Sequence, residues 1–355
     1  MSACDRCLAL SELTVALAAV AAVPPGAPGR TPADLVHRVP GISAARARAI
    51  ARHWDGWDAR SVRGAALGAG LIGWCRCDAD YPQLLCSLAD PPPVVWLRGD
   101  PAVLRACPGQ AAAIVGTRRP TLTGRDAARR LAAAVGRAEG VTISGMARGI
   151  DAAAHDGALS VGAPTIAVLA SGADCPTPTT NAGLYGRILE RGAVIAEMPP
   201  GARPHRWSFP ARNRLIAALA AATVVVEAPL RSGALITVTH AADLGRAIYA
   251  VPGSLAADCC EGSNRLLVDG AGALVDAADL TAALGLATAG APRRPDDGPG
   301  AIVHDALRRR PLSLSEVERA AVSLGPGEVE LALLDLELAG WVVRRADGRY
   351  ALAAA

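Results

Sequence analysis

Lysine is missing from this chain. All 36 basic residues are arginine, so every cationic side chain is a planar fork suited to bidentate contact with phosphate or carboxylate. Aromatic residues are only 3%, and phenylalanine occurs once, as Phe209. Charged residues are 19% and the net charge is +3. That balance excludes a globally disordered polyelectrolyte. It neither requires nor excludes nucleic acid, because a local patch matters more than the sum.

A disulfide framework is also lacking. The nine cysteines (Cys4, Cys7, Cys75, Cys77, Cys86, Cys107, Cys175, Cys259 and Cys260) follow no repeating spacing. An odd, scattered set reads as a reduced, cytoplasmic protein. Cys4-x-x-Cys7 and Cys75-x-Cys77 have the right ligand type for zinc. The second pair is tighter than the usual knuckle and no histidine accompanies it, so no metal is expected. No stretch reaches transmembrane length without charge. Leu8 to Val23 is apolar, but Asp5 and Glu12 flank and interrupt it. It reads as an amphipathic helix of a soluble domain, not a signal peptide, and no membrane partner is expected.

What is present is apolar material in quantity, 51% of 355 residues, enough for two or three domains. Residues 1–75 are helical in pattern. Within them Val39-Pro-Gly-Ile-Ser43, followed by Ala44 to His53, reads either as a helix-hairpin-helix turn facing phosphate or as an ordinary Pro-Gly turn in a packing module. Asp90-Pro-Pro-Pro93 is a stiff connector into a strand at Val94 to Gly99, the bridge into the next domain. Over 76–285 strands alternate with helices, with strands at 112–116, 140–145, 165–170, 193–197, 223–228 and 247–251. Helices fall at about 124–139, 150–161, 181–191, 211–221 and 233–245. Such alternation predicts an α/β fold, a Rossmann-like parallel sheet with helices on both faces. Residues 286–300 read as a linker. Over 301–355, three helices and a hairpin predict a winged helix. Its third helix carries Glu328, Glu330, Asp335 and Glu337 and no arginine. That favours protein contact or packing over groove reading, with the wing arginines Arg344, Arg345 and Arg349 left as DNA-contact candidates.

Four strand ends carry chemistry, where an open α/β sheet binds its ligands. At Gly116-Thr-Arg-Arg-Pro-Thr121, Gly116 permits close approach, Thr117 follows it, Arg118 and Arg119 supply charge, and Thr121 or Thr123 can cap the next helix. Neither a G-x-G-x-x-G fingerprint nor a Walker Gly-Lys-Ser/Thr is there. At Ser144-Gly-Met-Ala-Arg-Gly-Ile-Asp151, Ser144 and Gly145 offer small groups and Arg148 a charge. Asp151 and His155 share a helical face; a structural Asp–His hydrogen bond is expected over a catalytic pair, since no nucleophile adjoins them. Trp207-Ser-Phe-Pro-Ala-Arg-Asn-Arg214 reads as a loop before a helix. In it Phe209 can stack on a base, Arg212 and Arg214 can bind phosphate, and Asn213 can read an edge or brace the loop. The bland reading packs Phe209 in the core and pairs an arginine with Glu227. At Glu227-Ala-Pro-Leu-Arg-Ser-Gly233, Ser232 and Gly233 open a helix beside Arg231, and Glu227 is expected to orient Arg214.

Together these residues resemble the DNA-processing protein A family (DprA, also called Smf). The shared pattern runs colinearly through Ile114-Val-Gly-Thr-Arg118, Ser144-Gly-Met-Ala-Arg-Gly-Ile-Asp151, Ala154-His155, Phe209-Pro-Ala-Arg-Asn-Arg214, Val226-Glu-Ala228, Ser232-Gly-Ala-Leu-Ile-Thr237, Val251-Pro-Gly253 and Gly262-Ser-Asn-Arg-Leu-Leu267. The front module (SAM- or helix-hairpin-helix-like) and the winged-helix end resemble longer members. The resemblance implies an extended Rossmann domain that binds single-stranded DNA and hands it to the recombinase RecA in natural transformation. It also implies a homodimer through that domain, no cofactor and no catalytic reaction. Three positions depart from the family pattern: Thr177-Pro178 replaces Tyr-Pro, Arg231 replaces a lysine, and Met198 replaces an aromatic. The competing reading is a nucleotide-acting enzyme of the lysine-decarboxylase-like phosphoribohydrolase group. Its Pro-Gly-Gly-x-Gly-Thr-x-x-Glu pattern is not matched by Glu227 to Gly233.

Overall fold

The backbone of the computed structural model is described here for residues 3–14, 31–37, 42–54, 56–286, 298–308, 310–338, 341–345 and 347–352. Val39, Pro40 and Gly41 of the expected hairpin turn lie outside them, as do 15–23 of the expected amphipathic helix and 287–297 of the expected linker. The chain forms two compact units, Met1–Ala287 and Thr288–Ala355. Among the described residues no helix is long and apolar enough to cross a membrane.

The first unit begins with four helices, α1 (Asp5–Thr14), α2 (Pro32–Val36), α3 (Ala44–His53) and α4 (Ala59–Gly68). Thr31, Ser43 and Asp58 cap the last three through their side-chain oxygens, each satisfying an amide the helix leaves free. The described part of the expected amphipathic helix is α1, and it is buried on most of its surface. Leu8 packs toward the sheet, while Leu10 and Leu13 pack with Leu35 and Val36 of α2. A helix wedged between two cores needs no polar face, and Asp5–Thr14 accordingly shows little amphipathic contrast; the rest of the expected helix lies outside the described residues. Its Ser11 Oγ accepts a hydrogen bond from Trp96 Nε1 at 2.9 Å.

Strands β1 (Ile72–Cys75) and β2 (Val94–Gly99) follow, then the short α5 (Pro101–Arg105). The alternation expected from the sequence then appears: β3 (Ala111–Val115), α6 (Leu122–Arg137), β4 (Val141–Ser144), α7 (Ile150–Ser160), β5 (Thr165–Leu169), α8 (Ala182–Arg191), β6 (Ala193–Ala196), α9 (Ser208–Leu219), β7 (Ala222–Val225), α10 (Ala234–Asp243) and β8 (Ala247–Ala250). Helix α11 (Glu261–Val268), β9 (Gly272–Ala273) and α12 (Ala277–Ala283) complete the unit.

All nine strands form one sheet, in the order β1-β2-β6-β5-β4-β3-β7-β8-β9. Pairing is parallel from β6 to β9 and antiparallel at β1–β2 and β2–β6. Val94 to Gly99 is therefore part of the sheet and not a bridge into it, and the sheet is mixed. Strands β3 to β6 are buried throughout, as expected when helices cover both faces. From β3 the chain winds outward to β6, then returns to place β7 on the other side of β3. That reversal is the switch point at which an open α/β sheet leaves a crevice between its strand ends.

The second unit has α13 (Pro299–Leu307), α14 (Leu314–Ala320), α15 (Pro326–Leu338) and the antiparallel hairpin of β10 (Val342–Arg344) and β11 (Tyr350–Leu352). A bridge joins Leu312 to Tyr350. Ser313 caps α14 in a box with Glu316. Val303, Leu307, Val317, Val329, Leu333 and Val342 share its core. This is the element order of a winged helix.

Candidate nucleic-acid interface

A cleft of about 510 Å³ opens at the switch point. Gly116, Thr117, Arg118 and Arg119 from the β3 end line it with Ala147 and Asp151 from the β4 end. Phe209, Pro210, Arg212, Asn213 and Ile216 come from α9, and Pro229, Ser232, Gly233, Ile236 and Thr237 from the segment after β7. Most of the expected positions thus meet in one place.

The expected loop at 207–214 is instead the start of α9. His205 N donates to Ser208 Oγ at 3.0 Å, and that hydroxyl donates back to the His205 carbonyl at 2.8 Å. Pro210 falls in the first turn, where a missing amide costs no hydrogen bond. Helical spacing then sorts the residues. Phe209, Arg212, Asn213 and Ile216 stand at i, i+3, i+4 and i+7 and face the cleft. Arg214 falls on the opposite face. It pairs with Glu197 at 2.8 Å and with Asp90 at 3.0 Å, and its guanidinium also reaches the Asp90 carbonyl at 3.1 Å. Burial works against this charge, but Glu197 and Asp90 more than offset it and raise the pKa. The expected pairing of Arg214 with Glu227 does not occur, and Arg214 is not in the cleft.

Glu227 serves the β3 loop. Its carboxylate accepts from Thr121 N at 2.9 Å and from Thr121 Oγ1, while Thr121 Oγ1 caps α6 by accepting from Gly124 N at 3.0 Å. A Cβ on Gly124 would lie 2.2 Å from that carboxyl carbon, so only glycine lets the acid sit there. The chain thus supplies an anion of its own at this helix end. The Glu227 carbonyl also accepts from Thr117 N at 2.7 Å.

Arg212 is buried, with Nη1 donating to the Gly145 carbonyl at 2.8 Å and to the Val168 carbonyl. Its Nε reaches Asn213 Oδ1 at 3.2 Å, and Asn213 Nδ2 donates to the Gly233 carbonyl at 3.1 Å. One arginine and one asparagine thus tie the tips of β4 and β5 to α9 and to the start of α10. A Cβ on Gly145 would fall 2.5 Å from the guanidinium nitrogens. Burial lowers the Arg212 pKa to about 10, with Asp151 opposing and Arg118 adding to the shift; it remains a cation at neutral pH. Burial raises the Asp151 pKa against the pull of Arg212. Asp151 Oδ2 accepts from Ala147 N at 3.3 Å. Between them Met146 has φ +56°, a left-handed conformation uncommon for a side-chain-bearing residue.

Arg118 is exposed and lies 5.5 Å from the centroid of the half-buried Phe209 ring, within cation–π range. Arg119 is exposed beside it. Arg148 and Arg231 stand exposed at the ends of β4 and β7, outside the cleft lining. Ser144 is fully buried, and its hydroxyl donates to the Ile114 carbonyl at 2.7 Å; it is structural.

The expected Asp151–His155 hydrogen bond is absent. His155 turns inward to Thr165 Oγ1 at 2.8 Å, while Asp151 turns to the loop. Because Thr165 Oγ1 donates to the Thr142 carbonyl, it accepts from His155 Nδ1–H. That leaves Nε2 bare and buried, without a partner among the described residues. Burial drops the His155 pKa to about 3, with the charge of Arg212 adding to the effect.

Ile236 and Thr237, read from the sequence only as part of the shared family pattern, line the cleft, and His205, not singled out from the sequence, stacks with Trp207 just before α9, the rings 6.0 Å apart at 6°. The interleaving of Arg203, His205, Arg206 and Trp207 was the available signal. At the departures from the family pattern, Met198 is buried and Thr177 precedes a cis Pro178.

The family described as DNA recombination-mediator protein A matches residues 73–285. Protein Smf of Synechocystis is 33% identical over 312 residues, covering 77% of this chain and 78% of its own. A putative DNA processing protein DprA of Mycobacterium tuberculosis is 40% identical over 269 residues, 73% of this chain and 68% of its own. Among solved structures, DprA of Streptococcus pneumoniae is similar with a TM-score of 0.61 at 31% identity, covering 70% of this chain and 85% of its own. DprA of Helicobacter pylori, solved for its single-stranded DNA binding mode, gives 0.55 at 28%, covering 61% and 96%.

Proposed function

The chain belongs to the DNA recombination-mediator protein A family, and from that premise we propose that its cleft binds single-stranded DNA. In this reading the protein shields incoming strands in the cytoplasm and loads RecA onto them during natural transformation, acting as a homodimer through its sheet domain and catalysing no reaction. The observation that carries the reading is Arg118 lying over Phe209 at 5.5 Å, with Arg119 and Arg212 in the same cleft. A ring and three cations match a base with its flanking phosphates. Arg148 and Arg231 carry positive charge beyond the cleft, as a strand needs and a lone mononucleotide does not. The H. pylori relative's described binding mode supports the same class of ligand.

The test is fluorescence anisotropy with oligo-dT and with a duplex of equal length, titrated with salt. Single strands should bind more tightly, with log K falling at a slope of about −0.7 per phosphate contacted. Arg118→Ala/Arg119→Ala should abolish binding with the fold intact. Equal affinity for duplex, or binding that survives the double substitution, would sink the assignment. Release of free adenine from AMP would favour the phosphoribohydrolase reading instead. Recombinase loading is read from the rate at which RecA filaments nucleate on the bound strand.

A further inference from the structure

The two cysteine pairs that spacing argues against as a metal site meet in the folded chain. Cys4 precedes α1, Cys7 lies in its first turn, Cys75 ends β1, and Cys77 sits in the turn after it. Their four Sγ atoms all lie within 4.8 Å of one another. Cys7 Sγ and Cys77 Sγ, from positions 70 residues apart, are 3.7 Å from each other. A disulfide would need about 2.0 Å. Tetrahedral zinc, with Zn–S bonds of about 2.3 Å, holds its sulfurs about 3.8 Å apart. The observed separation matches the second geometry.

The surroundings are built to hold sulfur in place. Asp78 Oδ2 accepts from Cys75 N at 2.8 Å, and the Cys75 carbonyl accepts from Asp78 N at 2.8 Å. Arg76 N donates to the Pro93 carbonyl at 3.1 Å. On the other side Arg63 Nη2 donates to the Ala3 carbonyl at 2.9 Å and pairs with Asp5, fixing the segment that carries Cys4. Cys7 and Cys75 are buried, Cys4 is half-buried and Cys77 is exposed, so an ion has one open approach.

We propose that Cys4, Cys7, Cys75 and Cys77 form a structural zinc site that staples the start of α1 to the edge strand β1. Four sulfur ligands leave no open coordination position, which is the structural and not the catalytic type. Soft thiolates select zinc over magnesium or calcium. Binding displaces the thiol protons to solvent. Cys75-x-Cys77 is too tight to serve as half of a local knuckle. Here the other half comes from a helix start, so neither pair must wrap the ion alone.

The experiment uses the full chain. Protein purified in reducing buffer without chelator is assayed for metal. After stripping, it is titrated with zinc against a chromophoric chelator and, separately, with cobalt. One zinc per chain is expected, with a cobalt spectrum showing thiolate charge transfer and tetrahedral coordination. Cys77→Ser, the exposed ligand, should lose the zinc equivalent. Cys259→Ser/Cys260→Ser should keep it, although those cysteines lie near Glu227 in a second possible ligand group. Three outcomes overturn the proposal: no zinc or cobalt–thiolate signal in the unsubstituted protein, full zinc retention in Cys77→Ser, or a Cys7–Cys77 disulfide formed under reducing conditions.

Discussion

Thr121 and Glu227, 106 residues apart, are joined twice: the Glu227 carboxylate accepts from both the amide and the hydroxyl of Thr121. This pair closes the N-terminus of α6 from outside the helix and ties the β3 loop to the β7 end. Glu227→Ala removes both bonds and leaves a half-buried amide unpaired, a loss of about 1 kcal/mol. Glu227 does not line the cleft, so the expected result is a lower denaturant midpoint with oligo-dT affinity unchanged. An affinity loss larger than the unfolded fraction explains would show that Glu227 reaches the ligand.

Arg214 separates stability from binding in the opposite sense to its neighbour Arg118. Removing one partner of a buried ion pair strands the others, at a cost of about 3–5 kcal/mol, reduced here by the partial exposure of Asp90. Arg214→Ala should therefore unfold at markedly lower denaturant. Any folded fraction should bind oligo-dT normally in anisotropy. A well-folded variant with lost binding would return Arg214 to the interface.

Arg118 and Phe209 should be coupled. Arg118→Ala, Phe209→Ala and the double substitution make a cycle whose interaction term reads their contact. Exposed cation–π pairs contribute about 0.5–1 kcal/mol, so free-protein stability should change little. Affinity for oligo-dT should fall further with each single change, by about 1–3 kcal/mol where a base stack is lost. Additive single effects on affinity would mean that the two contact the strand independently.

His155 gives the fold a pH dependence of known sign. Its pKa is about 3 in the folded chain against an ordinary 6.5. Below 6.5 the unfolded chain takes up a proton that the folded one refuses. The contribution is therefore whole above pH 6.5 and is lost as pH falls toward 3, by at most about 1.4 kcal/mol per unit. Denaturant midpoints measured from pH 8 to pH 4 should drop for the natural protein. The difference from His155→Gln should hold from pH 8 to about 6.5 and shrink below it, and a difference that stays constant down to pH 4 would refute the buried neutral imidazole.

Much of this was legible in the sequence. Apolar runs alternating with helical stretches located β3 to β8, and the chemistry at their carboxyl ends located the cleft, because both signals are local. Helix phase was harder. The aromatic–arginine stretch reads as a loop before a helix, yet Pro210 falls in the first turn of α9, where proline marks a beginning. Once α9 is extended to Ser208, the split between Arg212 and Arg214 follows from periodicity alone. Partners far apart in the chain were not legible: Glu227 with Thr121, Arg214 with Asp90, His155 with Thr165, and the cysteine quartet. Each depends on strand order, and β2 joining β6 antiparallel is a fact of tertiary assembly that no short window carries.

The crossover from β6 back to β7 sets an order of assembly. Helix α9 presents Phe209 and Arg212 on one face, and its other face is held by Asp90, 124 residues before Arg214. Closing so long a loop is slow and belongs to the late steps of folding. The cleft should consequently mature last, after the antiparallel edge has docked. A chain truncated to start after that edge would carry every ligand-facing residue and still lack the strand that pairs with β6 and the Asp90 partner of Arg214.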